Sequence, residues 1–258
     1  MKKNAMKTGK DIKEEVKEKY GKLAAGALQS IASPRSCCGG GSSEVVNISL
    51  RYDDADRSAI PEGADLGLGC GTPAAFADLQ AGMTVLDLGS GAGIDCFVAA
   101  KHVGERGRVI GVDMTEAMIA KANENKAKVE ARNVEFRLGE IESLPVENVS
   151  VDRVISNCVI NLVPNKEKAF GEIFRVLKKG GKFTVSDIVV DGEISDEERQ
   201  DASLWAGCVS GALDRSAYMQ IIQKAGFSKI CVIAEKQYDY RLKSNARLFS
   251  ITVTGEKK

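Results

Sequence analysis

The segment Val85-Leu-Asp-Leu-Gly-Ser-Gly-Ala-Gly-Ile94 constrains the fold more than any other part of the chain. A short apolar run meets three glycines at alternate positions, and a helical pattern follows at once. Glycine tolerates left-handed backbone and carries no Cβ, so such a run makes a tight turn that a ligand can approach closely. A strand that passes through this turn into a helix implies a sheet with the helix folded back across it.

The same texture repeats downstream. Residues 84–88, 107–113, 134–138, 151–156 and 182–186 read as strands, and 94–103, 115–131 and 166–177 as helices between them. Thr115-Glu116 offers a cap for the second helix. Lys178-Lys-Gly-Gly181 suits the C-terminus of the third. Repeated β-α-β units imply a mainly parallel sheet with helices on both faces and right-handed crossovers. After about Gly192 the pattern changes to helices over 195–211 and 216–225, then strands over 229–236 and 248–253. Before the glycine turn lie an amphipathic helix (11–26, with Ile12, Val16 and Tyr20 on one face) and a Gly/Ser-rich loop holding Cys37 and Cys38. An irregular stretch then ends in Gly67-Leu-Gly-Cys-Gly-Thr-Pro73. The expected class is α/β, a doubly wound, mainly parallel seven-stranded sheet with an N-terminal helical and loop extension and a C-terminal α+β appendage. Its expected divisions are residues 1–75, 76–192 and 193–258.

The second strand ends in Asp113, about twenty residues beyond the glycine turn, where a carboxylate can accept hydrogen bonds from ribose hydroxyls. The dinucleotide fingerprint Gly-x-Gly-x-x-Gly is one residue longer in its second spacing than Gly89-x-Gly91-x-Gly93. Lys+Arg and Asp+Glu both number 36, so the net charge is zero, which argues against a nucleic-acid partner. No apolar run reaches bilayer-spanning length, and the Lys-rich start is followed by no signal-like apolar segment. A soluble, cytoplasmic and monomeric protein is the expectation.

Seven cysteines remain to be explained: Cys37, Cys38, Cys70, Cys96, Cys158, Cys208 and Cys231. An odd count without a secretion signal fits a disulfide scaffold poorly, and one His with no C-x-x-C removes the usual zinc patterns. Cys158, in Ser156-Asn-Cys-Val-Ile-Asn-Leu162, falls just past the carboxyl end of the fourth strand, on the edge where open α/β sheets bind ligands. Cys208, in Leu204-Trp-Ala-Gly-Cys-Val-Ser-Gly211, lies in the region expected to roof that edge. Cys70 sits between glycines. Soft donors converging on one site suit a thiophilic centre such as trivalent arsenic. Its lone pair can act as a nucleophile with no enzymic base, in keeping with the single His.

The strand and turn at 85–94 resemble motif I of the class I S-adenosylmethionine methyltransferases, a Rossmann-like superfamily. So do Gly139-Glu-Ile-Glu-Ser-Leu-Pro145 and Leu177-Lys-Lys-Gly-Gly-Lys182. The resemblance implies that Gly89, Ser90, Gly91 and Gly93 cradle S-adenosylmethionine, with Asp87 near its methionine end. Asp113 would hold the ribose, Met114 would pack on the adenine, Glu140 with Ile141 would face the adenine edge, and Asn157 would complete the site. Asp65-Leu-Gly-Leu-Gly-Cys-Gly71, 156–162 and Trp205-Ala-Gly-Cys-Val-Ser-Gly-Ala212 further resemble the cysteine segments of the arsenite methyltransferase family. That likeness implies Cys158 and Cys208 as As(III) ligands and Cys70 as third ligand or reductant. It implies Cys38 or Cys37 in thiol–disulfide exchange, fed by glutathione or thioredoxin, with arsenite arriving as a thiol conjugate. Thr72 departs from the Asn expected there and leaves the cysteine untouched.

Other features have plainer readings. Cys96 and Cys231 read as buried core thiols, Trp205 as packing, His102 as a solvated helix end, and Asp53-Asp-Ala-Asp56 as a solvated run. Ser195 followed by Asp196-Glu-Glu198 reads as a helix N-terminus. Two competing functions follow from the same residues: methyl transfer to a small organic acceptor such as a quinone or lipid-like nucleophile, or metalloid sensing with a vestigial cofactor site.

Overall fold

Strand periodicity sorts the core into two layers. Successive side chains alternate across a sheet. Leu86, Leu88, Ile110, Val112 and Val154 therefore pack on one face, and their neighbours Val85, Val109 and Ile155 on the other. The computed structural model describes residues 9–26, 51–199, 209, 211–238 and 242–258. Its elements in chain order are α1 (Gly9–Ala24), α2 (Asp54–Arg57), α3 (Pro73–Phe76), β1 (Thr84–Leu88), α4 (Ile94–Val103), β2 (Arg108–Asp113), α5 (Glu116–Lys128), β3 (Val134–Leu138) and β4 (Val151–Asn157). A 3₁₀ turn, Ile160–Leu162, is followed by α6 (Lys166–Val176), β5 (Leu177–Asp191), α7 (Asp196–Arg199), β6 (Leu213–Asp214), α8 (Arg215–Lys224), β7 (Ser228–Gln237) and β8 (Arg247–Glu256).

The sheet order is β3-β2-β1-β4-β5-β8-β7, with the two-residue β6 pairing β5. The strands β3 to β5 run parallel, and β8 inserts antiparallel between β5 and β7. Strand order reverses between β1 and β4, and a doubly wound sheet opens its ligand crevice at the carboxyl ends beside such a switch. The side chains of α6 and α8, among them Phe170, Ile173, Tyr218 and Ile222, fill one layer. Those of α4 (Cys96, Val98, Ala99, Val103) fill the other, with Tyr52 and Ala74. A third apolar cluster sits at the carboxyl edge. It draws Val16 from α1, Cys70, Cys158, Leu162, Ile188, Leu242 and Leu248 together.

Several sequence expectations need correction. The fifth strand covers Leu177–Asp191, three times the expected length, because β8 pairs with it along residues 182–191. Lys178-Lys-Gly-Gly181 accordingly lies in the strand, and α6 closes at an extended Leu177. Thr115 occupies the N-cap of α5 but makes no side-chain cap bond. Cys231 is exposed: β7 is an edge strand that turns Ile230 and Val232 inward and Cys231 outward. The acidic run near residue 54 is not wholly solvated, whereas His102 is exposed at its helix end as expected. Asp56 is buried and accepts from His102 Nε2 at 2.9 Å and Lys101 Nζ at 3.2 Å, fastening α2 to α4. Among the described residues no helix is long and apolar enough to cross a membrane.

Candidate active site

The glycine turn sits where the crevice requires it. Gly89, Gly91 and Gly93 all have positive φ, and Gly93 caps α4 in the left-handed region. The turn is tied to β2 by Gly89 and Ser90 N–H bonds to the Val112 carbonyl, at 2.8 and 3.1 Å. Asp113 closes it, accepting from Gly91 N–H at 3.0 Å and Thr115 N–H at 2.8 Å. A Cβ on Gly91 would meet nothing within 4 Å, so the turn faces open space. Beside it the Ser90 hydroxyl is buried with no hydrogen-bond partner.

Three carboxyl groups crowd this end of the sheet. Burial, and then repulsion from Asp95, push Asp87 well above the usual carboxylate range. Burial also lifts Asp95, to about 6, against hydrogen bonds from Tyr52 and Asn157 that hold it down. Asp113 is raised by burial and restrained by the N–H groups of Thr115 and Gly91. Cys96 donates its thiol hydrogen to Asp87 at 3.2 Å, and burial beside that acid raises the thiol. A ligand bearing positive charge would relieve this repulsion, and one bearing hydroxyls would find acceptors at Asp113 and Ser90. The residues present therefore fit a sulfonium cofactor with a ribose.

Met114 packs at the carboxyl-edge cluster, while Ile141 is part of the main core. Glu140 is held by Lys13 of α1 at 2.7 Å, which lowers its carboxyl, and Lys17 lies 3.9 Å away. The helix α1 thus spans the side of the crevice where Met114 and Glu140 lie.

The thiols come together from remote positions. Cys70 and Cys158, 88 residues apart in sequence, are both buried in the carboxyl-edge cluster. Cys158 follows β4 with φ of 60°, a left-handed conformation that costs a residue with a Cβ about 1–3 kcal/mol. It is held by a 2.7 Å bond from its N–H to the Ser186 carbonyl. The strand β5 also buries a polar group that the sequence did not suggest. Asp187 is wholly buried and raised to about 7 by burial, against the pull of Lys166. Tyr218 donates to it at 3.3 Å, and Lys166 donates to the Asn161 and Val163 carbonyls, securing the 3₁₀ turn.

The Asn157 side chain is committed to the Cys70 loop. Its Oδ1 accepts from Cys70 and Gly71 N–H at 3.0 and 3.1 Å, and its Nδ2 donates to the Gly71 carbonyl at 2.8 Å. Glycine is required on both sides of the cysteine: a Cβ at Gly69 would lie 2.9 Å from the Asn157 amide, and one at Gly71 would collide with Ser186. Cys37, Cys38, Trp205 and Cys208 lie outside the described residues. Among the described residues no three His, Cys, Asp or Glu side chains form a metal-holding group.

The family model of a methyltransferase domain matches residues 79–226. A solved arsenic(III) S-adenosylmethionine methyltransferase from Chlamydomonas reinhardtii superimposes with a TM-score of 0.68 at 34% identity, over 81% of this chain and 72% of that one. The chain belongs to the arsenic(III) S-adenosylmethionine methyltransferase family. Curated members of the family align as well. The arsenite methyltransferase of Halobacterium salinarum is 45% identical over 85% of this chain and 58% of its own length. The human arsenite methyltransferase is 43% identical over 55% of this chain and 40% of its own. The chain thus spans about half the length of the curated family members it matches.

Proposed function

We propose that this chain transfers methyl groups from S-adenosylmethionine to thiolate-bound trivalent arsenic, giving methylated arsenicals. The observation that carries the reading is the burial of Cys70 and Cys158 in one cluster at the carboxyl edge, beside a glycine turn suited to a sulfonium cofactor. When bound, S-adenosylmethionine supplies an electrophilic methyl group. The backbone of Gly89, Ser90, Gly91 and Gly93 would hold it, with Asp113 at the ribose, Met114, Glu140 and Ile141 on the adenine side, and Asp87 and Asn157 towards the methionine end.

Cys158, Cys208 and Cys70 would hold arsenic as substrate, drawn from a thiol conjugate. Three thiolates would leave the arsenic lone pair available; that pair would take the methyl group as its bond to the sulfonium sulfur breaks and S-adenosylhomocysteine leaves, so no side chain has to remove a proton. Arsenic is oxidised from III to V by the transfer. Two thiols closing to a disulfide return it to III, and Cys38 or Cys37 would pass that oxidation to glutathione or thioredoxin. The work left to the protein is alignment and exclusion of water, which suits thiols held in an apolar cluster. A cytoplasmic monomer with a thiol co-substrate completes the reading.

The test is a methyl-transfer assay with As(III), glutathione and S-adenosylmethionine, resolving arsenic species by chromatography and mass detection. Wild type should yield methylated arsenic, and Cys158→Ser and Cys208→Ser should each abolish it. A folded, cofactor-binding wild type that makes none would end the arsenic reading and turn the search to organic acceptors.

A further inference from the structure

A chain of side chains joins the glycine-turn helix to the Cys70 loop. Asp95, in the first turn of α4, accepts on Oδ1 from the Tyr52 hydroxyl and on Oδ2 from Asn157 Nδ2 at 3.1 Å. Asn157 in turn grips both peptide units around Cys70 through the bonds already described. The residue before Tyr52 reaches the same loop from the other side: Arg51 Nη1 donates to the Cys70 carbonyl at 2.8 Å, and Ser250 Oγ donates to it at 3.1 Å. Tyr52 is 2% exposed, and its own carbonyl is fixed by Arg57 at 3.1 Å. It is thus a rigid donor rather than a mobile one.

A buried carboxylate needs its hydrogen bonds, because an unmet one leaves charge in an apolar setting. Asp65 repels Asp95, and Asp95 in turn repels Asp87. The Tyr52 hydroxyl fixes one oxygen of the carboxyl group, and that fixes where the other can meet Asn157. An amide has only two hydrogens and one oxygen to place. Once Nδ2 is aimed at Asp95, Oδ1 faces the Cys70 and Gly71 N–H groups.

We propose that Tyr52 is a positioning residue for the Cys70 thiol, acting through Asp95 and Asn157 to hold the loop where metalloid is captured. The role in capture rests on the arsenic reading above; the physical link does not. Two measurements on the full chain separate the two claims. The first is the rate of Cys70 alkylation by iodoacetamide, followed by peptide mass spectrometry, with exposed Cys231 as the reference. The second is the KM and kcat for As(III) methylation.

In Tyr52→Phe, Cys70 should alkylate about fivefold faster or more relative to Cys231 (an order-of-magnitude figure for the loss of one charge-assisted bond). KM for As(III) should rise by a similar factor with a smaller change in kcat. In an Asn157→Ala background the Tyr52→Phe change should add nothing, since the link is already cut. Adding Asp95→Asn to Tyr52→Phe should restore slow alkylation. The neutral amide removes the stranded charge, and its oxygen still accepts from Asn157. This double variant also guards against the single one failing to fold. Unchanged Cys70 alkylation in folded Tyr52→Phe, an additive effect in the Asn157→Ala background, or faster alkylation with no rise in KM would each overturn the proposal. If wild type methylates no arsenic, the functional reading falls, and the alkylation series still decides the link.

Discussion

Two sets of carboxyl groups sit in environments that push them in opposite directions. Asp87, Asp95 and Asp113, around the glycine turn, are all raised, first by burial. Asp56 and Glu198, away from the turn, are both lowered. Asp56 faces Lys101 and His102. Glu198 closes a capping box with Ser195 and takes the N–H groups of Lys243 and Ser244, at 2.6 and 3.4 Å, tying α7 to the turn before β8. Burial alone therefore does not mark a functional acid. An acid whose hydrogen bonds and charge partners outweigh desolvation is serving as a fastener. One left raised beside its like is set for a partner still to come, and here the expected partner carries positive charge.

Removing an acid from each set should break the comparison where it is wrong. The largest effect is expected at Asp113. With two ribose hydroxyls deprived of a charged acceptor, Asp113→Ala should weaken S-adenosylmethionine binding on the order of a hundredfold. Titration calorimetry measures it, and a loss below fivefold would remove Asp113 from the cofactor site. Glu198→Ala should leave cofactor affinity alone and cost about 2–3 kcal/mol of stability, a drop in Tm of roughly 5–10 °C. Its acid dependence has a definite sign. The folded carboxyl sits at about 2 against an ordinary 4.5, so its contribution is complete above 4.5 and fades as pH falls towards 2. The wild type should lose that increment in acid, and Glu198→Gln should have none to lose.

Asp95 sharpens the contrast because its sign is opposite. Raised from 3.8 to about 6, it favours the folded state most below 3.8, and that contribution is lost as pH rises through 6. A cationic ligand reverses the preference by favouring the carboxylate. Cofactor affinity should therefore fall up to about tenfold between pH 7 and pH 5, and Asp95→Asn should flatten the profile. A profile that is flat in the wild type would show that Asp95 does not sense the ligand's charge. The smallest effect belongs to α1. Lys17 and Glu140, 3.9 Å apart, are both substantially exposed, so Lys17→Ala should cost less than about 1 kcal/mol in thermal unfolding and shrink further in salt.

Much of this arrangement was legible along the chain, and its gaps have physical causes. Seven strands were readable because alternation and glycine punctuation are local. The true length of β5 was not, because residues 187–191 become strand through pairing with β8, more than fifty residues on, and with β6. Cys231 looked like core because its neighbours Ile230 and Val232 are apolar, and only the edge position of β7 turns it to solvent. Asp56 looked solvated because nothing in its segment announces Lys101 and His102 as its partners. Asp95 could have been noticed as an acid in the first turn of the helix after the glycines. Tyr52 carried no signal at all.

The sequence by itself determined the doubly wound architecture, the glycine turn with Asp113 opposite it, and the family whose cysteine segments this chain carries. Those properties follow from backbone freedom and side-chain period, which act over a few residues at a time. Tertiary structure alone decided that Asn157 grips the Cys70 loop, that Tyr52 supports Asp95, and that Tyr218 meets the buried Asp187. Each joins segments far apart in the chain, and a hydrogen bond between such segments exists only once the sheet has brought their ends to one edge.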